Sequence, residues 1–339
     1  MKPANVARWV VCLHALVALL LPATAYAADV ACSGINLFTQ LEKTDPALAQ
    51  KVKAEAAGTM NGKGTLWKIE SGGLPPSYLY GTMHVTDPRV TSLKPKARKA
   101  FNASQTVVIE TTDVLNQAQM LASLMAQPDL MMFTDGSTIQ SRLTLDDTAA
   151  LEKALQDRGI TLASVASMKP WIIAGMLALP ACELARKAGG AEVLDVRLAK
   201  EAQASGKQLK GLETAAEQFE AMASLPMDFH LKGLIDTLRL DDRVDDATET
   251  MIRLYVDEDI GMFWPLLRYG IDKGGVQESG YSAFEQAMII NRNQTMVRNA
   301  APILSKGGAF IATGALHLPG PDGLVEMLRK YGYTVSALD

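Results

Sequence analysis

The chain has 339 residues, 48% of them hydrophobic, with 37 acidic against 33 basic side chains and a formal net charge of −4. An acidic balance argues against nucleic acid as a partner, because phosphates are bound by an excess of Lys and Arg. The apolar content is enough to bury a large core, and with aromatic residues at only 6% the packing is mostly aliphatic.

The first residues read as a secretion signal. Lys2 and Arg8 form a basic start, residues 9–21 an apolar run, and Ala25-Tyr26-Ala27 a small-x-small cleavage site. Residues 1–27 are therefore expected to be a removed leader and 28–339 one folded domain, periplasmic or secreted. The apolar run is shorter than the roughly 18 residues that span a bilayer, Pro22 ends it, and no later run qualifies, so no stable membrane insertion is expected. Cys12 leaves with the leader. Cys32 and Cys182 remain, a natural disulfide in an oxidising compartment, although two buried thiols fit the sequence equally well.

In chain order, 36–57 reads as helix and 58–64 as loop. Residues 65–70 alternate as a strand should, 71–76 carry Gly-Gly and Pro-Pro, and 78–85 form a second strand, which together predict a hairpin. A helix over 94–104 leads to Thr106-Val-Val-Ile-Glu110, a short apolar strand ending in a carboxylate. Strand, helix, strand implies a parallel step. Ligands gather at the carboxyl ends of such strands, which puts His84 and Glu110 on one rim. Helical insertions follow at about 114–206 and 226–305, the first including an amphipathic helix at 194–205. Between them, 207–213 reads as a strand ending in Glu213, and Thr214 with Glu217 forms a capping box for the next helix. Residues 308–315 form the last core strand, and 333–338 an edge strand.

Three histidines remain beyond the leader: His84, His230 and His317. Two of them sit three positions after a glycine at the end of an apolar run, in Gly81-Thr-Met-His84 and Gly314-Ala-Leu-His317. Glycine at a strand end permits close approach of the backbone. Imidazole suits Zn, Mn, Co or Fe, and Glu110 would complete a site with open positions. A loop histidine can equally bond its neighbours and bind nothing, and Gly-x-x-His lacks the single helix face of His-Glu-x-x-His. An uncompensated charge on Glu110, after three apolar residues, is costly, so a cation is expected beside it. Glu213 reads equally as a functional carboxylate or a solvated one, and Asp113 as a cap for the next helix. Arg292, in mid-helix, is either a surface residue or a buried partner for Glu213 or for the terminal carboxylate of a peptide. His230 reads as structural, and Trp67, Trp171 and Trp264 as packing. No Ser/His/Asp nucleophile pattern and no phosphate-cradling glycine loop is visible.

Five segments in order, Tyr80-Gly-Thr-Met-His-Val85, Val107-Val-Ile-Glu110, Lys210-Gly-Leu-Glu-Thr214, Asn291-Arg-Asn293 and Gly314-Ala-Leu-His-Leu-Pro-Gly320, resemble the TraB/PrgY/GumN family. The resemblance implies an α/β fold, EreA/ChaN-like, with two related β-α halves around a central mixed sheet and a large helical insertion. It implies His84, Glu110 and His317 as ligands of a divalent metal, Mn, Co or Zn, with Glu110, Arg292 and Glu213 as catalytic residues. Metal-dependent proteolysis in the Tiki branch points to a secreted metal-dependent peptidase or related hydrolase acting on a peptide or protein. The PrgY and TraB branches point instead to a non-catalytic periplasmic binding or regulatory protein that sequesters a peptide or cofactor. One departure is Asn291, where the family commonly has an acidic residue.

Overall fold

A computed structural model describes residues 32–240, 243–270 and 278–338. The expected leader lies outside the described residues. Six strands form one mixed sheet: β1 Leu66–Glu70, β2 Ser77–Thr82, β3 Thr106–Ile109, β4 Gln208–Gly211, β5 Ala309–Gly314 and β6 Thr334–Ala337, in the order β4-β3-β5-β2-β1-β6. Strands β4, β3, β5 and β2 run parallel. The predicted hairpin pairs β1 with β2 antiparallel, and β6 closes the other side of β1 as the predicted edge strand.

Strand order follows burial. Every residue of β5 is buried, and it takes the middle of the parallel region. The edge strands β4, Gln-Leu-Lys-Gly, and β6, Thr-Val-Ser-Ala, are largely exposed and polar. Polar edges of this kind discourage pairing with other chains. The expected step from β2 to β3 is present through helix Pro95–Ala103, but the two strands are not neighbours, because β5 lies between them. A crossover fixes strand direction and leaves adjacency open, so the most apolar strand could enter from the far end of the chain.

Alternation along the strands builds a core on each face. Leu79, Val108 and Ile311 point to one face, where Met251, Ile252, Met296 and Val297 cover them. Tyr80, Val107 and Phe310 point to the other, against Ala97, Phe101, Leu198 and Ala202. The helices between β3 and β4 and those after β4 share a further core around Trp171, Phe219, Leu151 and Leu234. The expected lead-in helix is two, Leu37–Thr44 and Pro46–Ala57, separated by Asp45, whose side chain accepts from Leu48 N at 3.1 Å. Thr214 and Glu217 form the predicted capping box on helix Ala215–Ala223. Among the described residues no helix is long and apolar enough to cross a membrane.

Candidate active site

Each parallel strand stops short of the span its sequence suggests, and a polar residue that follows falls in a turn on the shared carboxyl rim. His84 follows β2, Glu110 β3, Glu213 β4 and His317 β5. The structure thus brings together four residues that are far apart in sequence, and Arg292 joins them from helix Asn291–Leu304.

Glu110 is the centre of the group. Its Oε1 accepts the backbone N–H of Gly314 at 2.6 Å, and its Oε2 accepts from Arg292 Nη2 at 2.8 Å and Gln218 Nε2 at 3.2 Å. His84 Nε2 lies 3.7 Å and His317 Nε2 3.9 Å from the same Oε1. A Cβ on Gly314 would stand 3.1 Å from His84 Nε2 and 3.2 Å from Glu110 Oε1. Glycine here keeps the space between the three side chains open.

The far edges of the imidazoles have their own partners. His317 Nδ1 lies 2.7 Å from Asn293 Oδ1. Asn293 Nδ2 donates to the carbonyls of His317 at 3.2 Å and Asp322 at 2.8 Å, which fixes the amide's orientation. An amide oxygen only accepts, so Nδ1 of His317 carries the hydrogen and Nε2 turns its lone pair towards Glu110. His84 Nδ1 faces Asp195 Oδ2 at 3.5 Å, and Thr82 Oγ1 donates to Asp195 Oδ1 at 2.8 Å.

Arg292 ties Glu110 to Glu213. Its Nε donates to Oε1 and Oε2 of Glu213 at 3.1 and 3.2 Å, its Nη2 also bonds Glu213, and Gln218 Nε2 reaches Glu213 Oε1 at 2.9 Å. A π-helical turn at Gln286–Ile290 immediately precedes this segment, and Arg292 Nη1 donates back to Met288 O at 3.3 Å. Such turns shift the register of side chains beyond them and recur at functional sites.

Burial and charge set the protonation of these groups. Burial opposes ionisation of Glu110, but the Arg292 guanidinium and His84 hold it well below the usual carboxylate range. Burial also opposes a charge on His84, yet Asp195 and Glu110 together push its pKa up to about 9. His317 goes the other way, to about 3, because burial and the nearby Arg292 both disfavour imidazolium. Burial raises Glu213 and Asp195. With His84 protonated, the three buried carboxyl groups face two cations, His84 and Arg292, and a divalent cation in place of the His84 proton would balance them.

The arrangement suits a divalent cation in its chemistry: two imidazole Nε2 atoms and a carboxylate oxygen converge, the outer nitrogen of His317 is bonded by Asn293, and that of His84 faces Asp195. The separations of 3.7 and 3.9 Å are a few tenths of an ångström wider than the ~3.4 Å between neighbouring ligands of a tetrahedral centre with bonds of about 2.0–2.1 Å. Among the described residues no group of three or more His, Cys, Asp or Glu side chains is placed to hold a metal ion.

The turn bearing His84 is anchored from behind. Thr86 N donates to both oxygens of Glu183 at 3.1 and 2.8 Å, and Thr86 Oγ1 donates to Oε2 at 2.8 Å. Glu183 is fully buried and follows Cys182, which forms a disulfide with Cys32 across 150 positions at a Cα separation of 5.3 Å.

Asp113 caps a helix, but a distant one: its Oδ2 accepts from Ala215 N at 2.8 Å, at the start of Ala215–Ala223. His230 is buried against Trp171 and Phe229, away from the rim, as its structural reading expects. Asn291 accepts from Gln286 Nε2 at 2.7 Å on the exposed side of its helix, outside the cluster. Sequence reading did not single out Asp195 or Gln218. Asp195 lies in the first turn of helix Leu194–Ala204, where an acid reads as an ordinary complement to the helix dipole.

The profile of the TraB/PrgY/gumN family matches residues 65–337. Metalloprotease TIKI1 of Danio rerio is 26% identical over 311 residues, covering 80% of this chain and 62% of the relative. Metalloprotease TIKI1 of Homo sapiens is 25% identical over 317 residues, covering 80% and 61%, and the Metalloprotease TIKI homolog of Nematostella vectensis is 24% identical over 349 residues, covering 88% and 70%. The chain spans about three fifths of the length of the vertebrate relatives. No solved structure matches. The family match runs from the first residue before β1 through the last residue of β6 and takes in every residue of the rim cluster, so the chain belongs to the TraB/PrgY/gumN family.

Proposed function

We propose that the protein is an exported metal-dependent peptidase or related hydrolase acting on a peptide or protein, with His84, His317 and Glu110 as the residues that hold the metal. One observation carries this reading: two imidazoles turn Nε2 towards the same oxygen of Glu110, across the gap that Gly314 leaves open. The charge balance supports it, because a divalent cation in place of the His84 proton would balance the three carboxylates together with Arg292. Export accords with the disulfide.

His84, His317 and Glu110 would hold the Mn, Co or Zn ion, which would supply Lewis acidity towards a substrate carbonyl. The protein's own groups do the rest. Asn293 holds His317 in the tautomer with its lone pair inward. Arg292 and Gln218 hold Oε2 of Glu110 and the Gly314 N–H holds Oε1, whose remaining lone pair would either hold the ion or take a proton from an attacking water. Glu213 holds Arg292 in place, and the guanidinium sets a fixed positive charge beside the position where negative charge develops on the carbonyl oxygen.

The test is turnover of a peptide library by the purified chain supplied in turn with Mn, Co and Zn. Cleavage that His84→Ala and His317→Ala both abolish is expected. Tight peptide binding with no cleavage under any of the three metals would favour the binding or regulatory protein instead.

A further inference from the structure

We propose that Asp195 is a positioning residue for His84, fixing the ring so that Nε2 faces Glu110 and thereby setting the site's affinity for a divalent cation. The inference rests on the reading of the rim as a metal centre.

Asp195 is buried, at 6% exposure. One carboxylate oxygen, Oδ1, is bonded by Thr82 Oγ1 at 2.8 Å. The other, Oδ2, is buried with no hydrogen-bond partner, and His84 Nδ1 stands 3.5 Å from it. A buried carboxylate oxygen without a donor carries the desolvation cost of the group, so a donor a few tenths of an ångström beyond bonding distance is a strong pull on the imidazole. Thr82 is the last residue of β2, two positions before His84, so the carboxylate is tied to the strand end that carries the ring.

Asp195 acts through His84 and not beside it. Nδ1 and Nε2 are on different edges of the imidazole, one facing Asp195 Oδ2 and the other Glu110 Oε1. The ring therefore stands between Asp195 and the gap at Gly314, and the carboxylate does not face that gap. A carboxylate on the outer nitrogen keeps the proton there, leaves the inner lone pair for the ion and increases its basicity. The corresponding partner of His317 is a neutral amide, so Asp195 is the charged half of an unequal pair of supports.

The experiment is a double-mutant cycle of Asp195→Ala and His84→Ala on the full chain, read by Co(II) titration followed by d–d absorption and by urea unfolding of the chelator-treated protein. In an otherwise unchanged chain, Asp195→Ala is expected to weaken Co(II) binding by roughly 10–100-fold and alter the spectrum. Asp195→Asn, which keeps an acceptor without the charge, is expected to lie between it and the parent. With His84 already replaced, Asp195→Ala should weaken residual binding by less than about twofold, and the two shifts in urea midpoint should fail to add. Co(II) uptake with independent, additive losses would overturn the role of Asp195 and leave the metal centre standing. Absence of Co(II) uptake by the parent chain, with coupled shifts in unfolding, would overturn the metal centre and with it this role, leaving a structural Asp195–His84 pair.

Discussion

The two Gly-x-x-His turns share a spacing and differ in almost everything around it. A Cβ on Gly81 would meet the backbone and side chain of Ala315 at 3.0 and 3.1 Å, so this glycine lets the two turns pack against each other. A Cβ on Gly314 would instead enter the gap between His84 and Glu110. The His84 side chain is 22% exposed and backed by a carboxylate; that of His317 is 5% exposed and backed by an amide. One pKa goes up to about 9 and the other down to about 3. A shared motif thus delivers both rings to one place, while the residues behind them decide what each ring carries.

The contrast is broken most thoroughly by Arg292→Ala. Arg292 helps keep His317 neutral and Glu110 ionised, and its loss leaves Glu110 and Glu213 buried together without the guanidinium that bridges them. A loss of roughly 3–5 kcal/mol in urea unfolding is expected. Glu183→Ala acts on the His84 side alone, removing the acceptor for Thr86 N and Oγ1. It should cost roughly 1.5–3 kcal/mol, with the disulfide still formed.

The glycines sharpen the comparison. Gly81→Ala presses on a neighbouring backbone, and about 1–3 kcal/mol of stability should be lost through overpacking. Gly314→Ala meets only side-chain atoms of the rim, which can give way, so unfolding should change by less than ~1 kcal/mol. Co(II) affinity, in contrast, should fall by about tenfold or more as the imidazoles and Glu110 are forced apart. Equal effects of the two substitutions on both readouts would show that the turns are equivalent after all.

A separate effect distinguishes the rings by pH, in chelator-treated protein. His84 has a folded pKa of about 9 against 6.5, so its contribution to stability is complete below pH 6.5 and is lost as pH rises through 9. His317 has a folded pKa of about 3 against 6.5, so its contribution is complete above pH 6.5 and is lost as pH falls towards 3. His84→Gln should therefore flatten the alkaline flank of the stability curve and His317→Gln the acid flank. Urea midpoints measured from pH 4 to pH 9 check both.

Much of this was legible in the sequence, for physical reasons that can be named. Apolar runs mark β2, β3 and β5, and the polar residue beyond each run lies on the rim, which is why His84, Glu110 and His317 were legible; Glu213 follows the polar edge strand β4 and was legible only as the carboxylate before a capping box. The insertion of β5 between β2 and β3 was not legible, because direction follows from the crossover and adjacency depends on burial across the whole sheet. Gln218 and Asp195 were hidden for a different reason. Each lies on a helix that has an ordinary amphipathic explanation, and its role depends on which strand end that helix happens to pass. Arg292 fell between these cases: its choice between solvent and a buried carboxylate turned on the packing of one helix against the rim.

The central claim is that His84, His317 and Glu110 converge on a single divalent ion. Anomalous diffraction at the cobalt edge, from crystals of the chain grown with Co(II), tests it most directly. The account predicts one peak bonded to Nε2 of His84, Nε2 of His317 and Oε1 of Glu110. A rim without a peak, or a cobalt ion held by other residues, would contradict it.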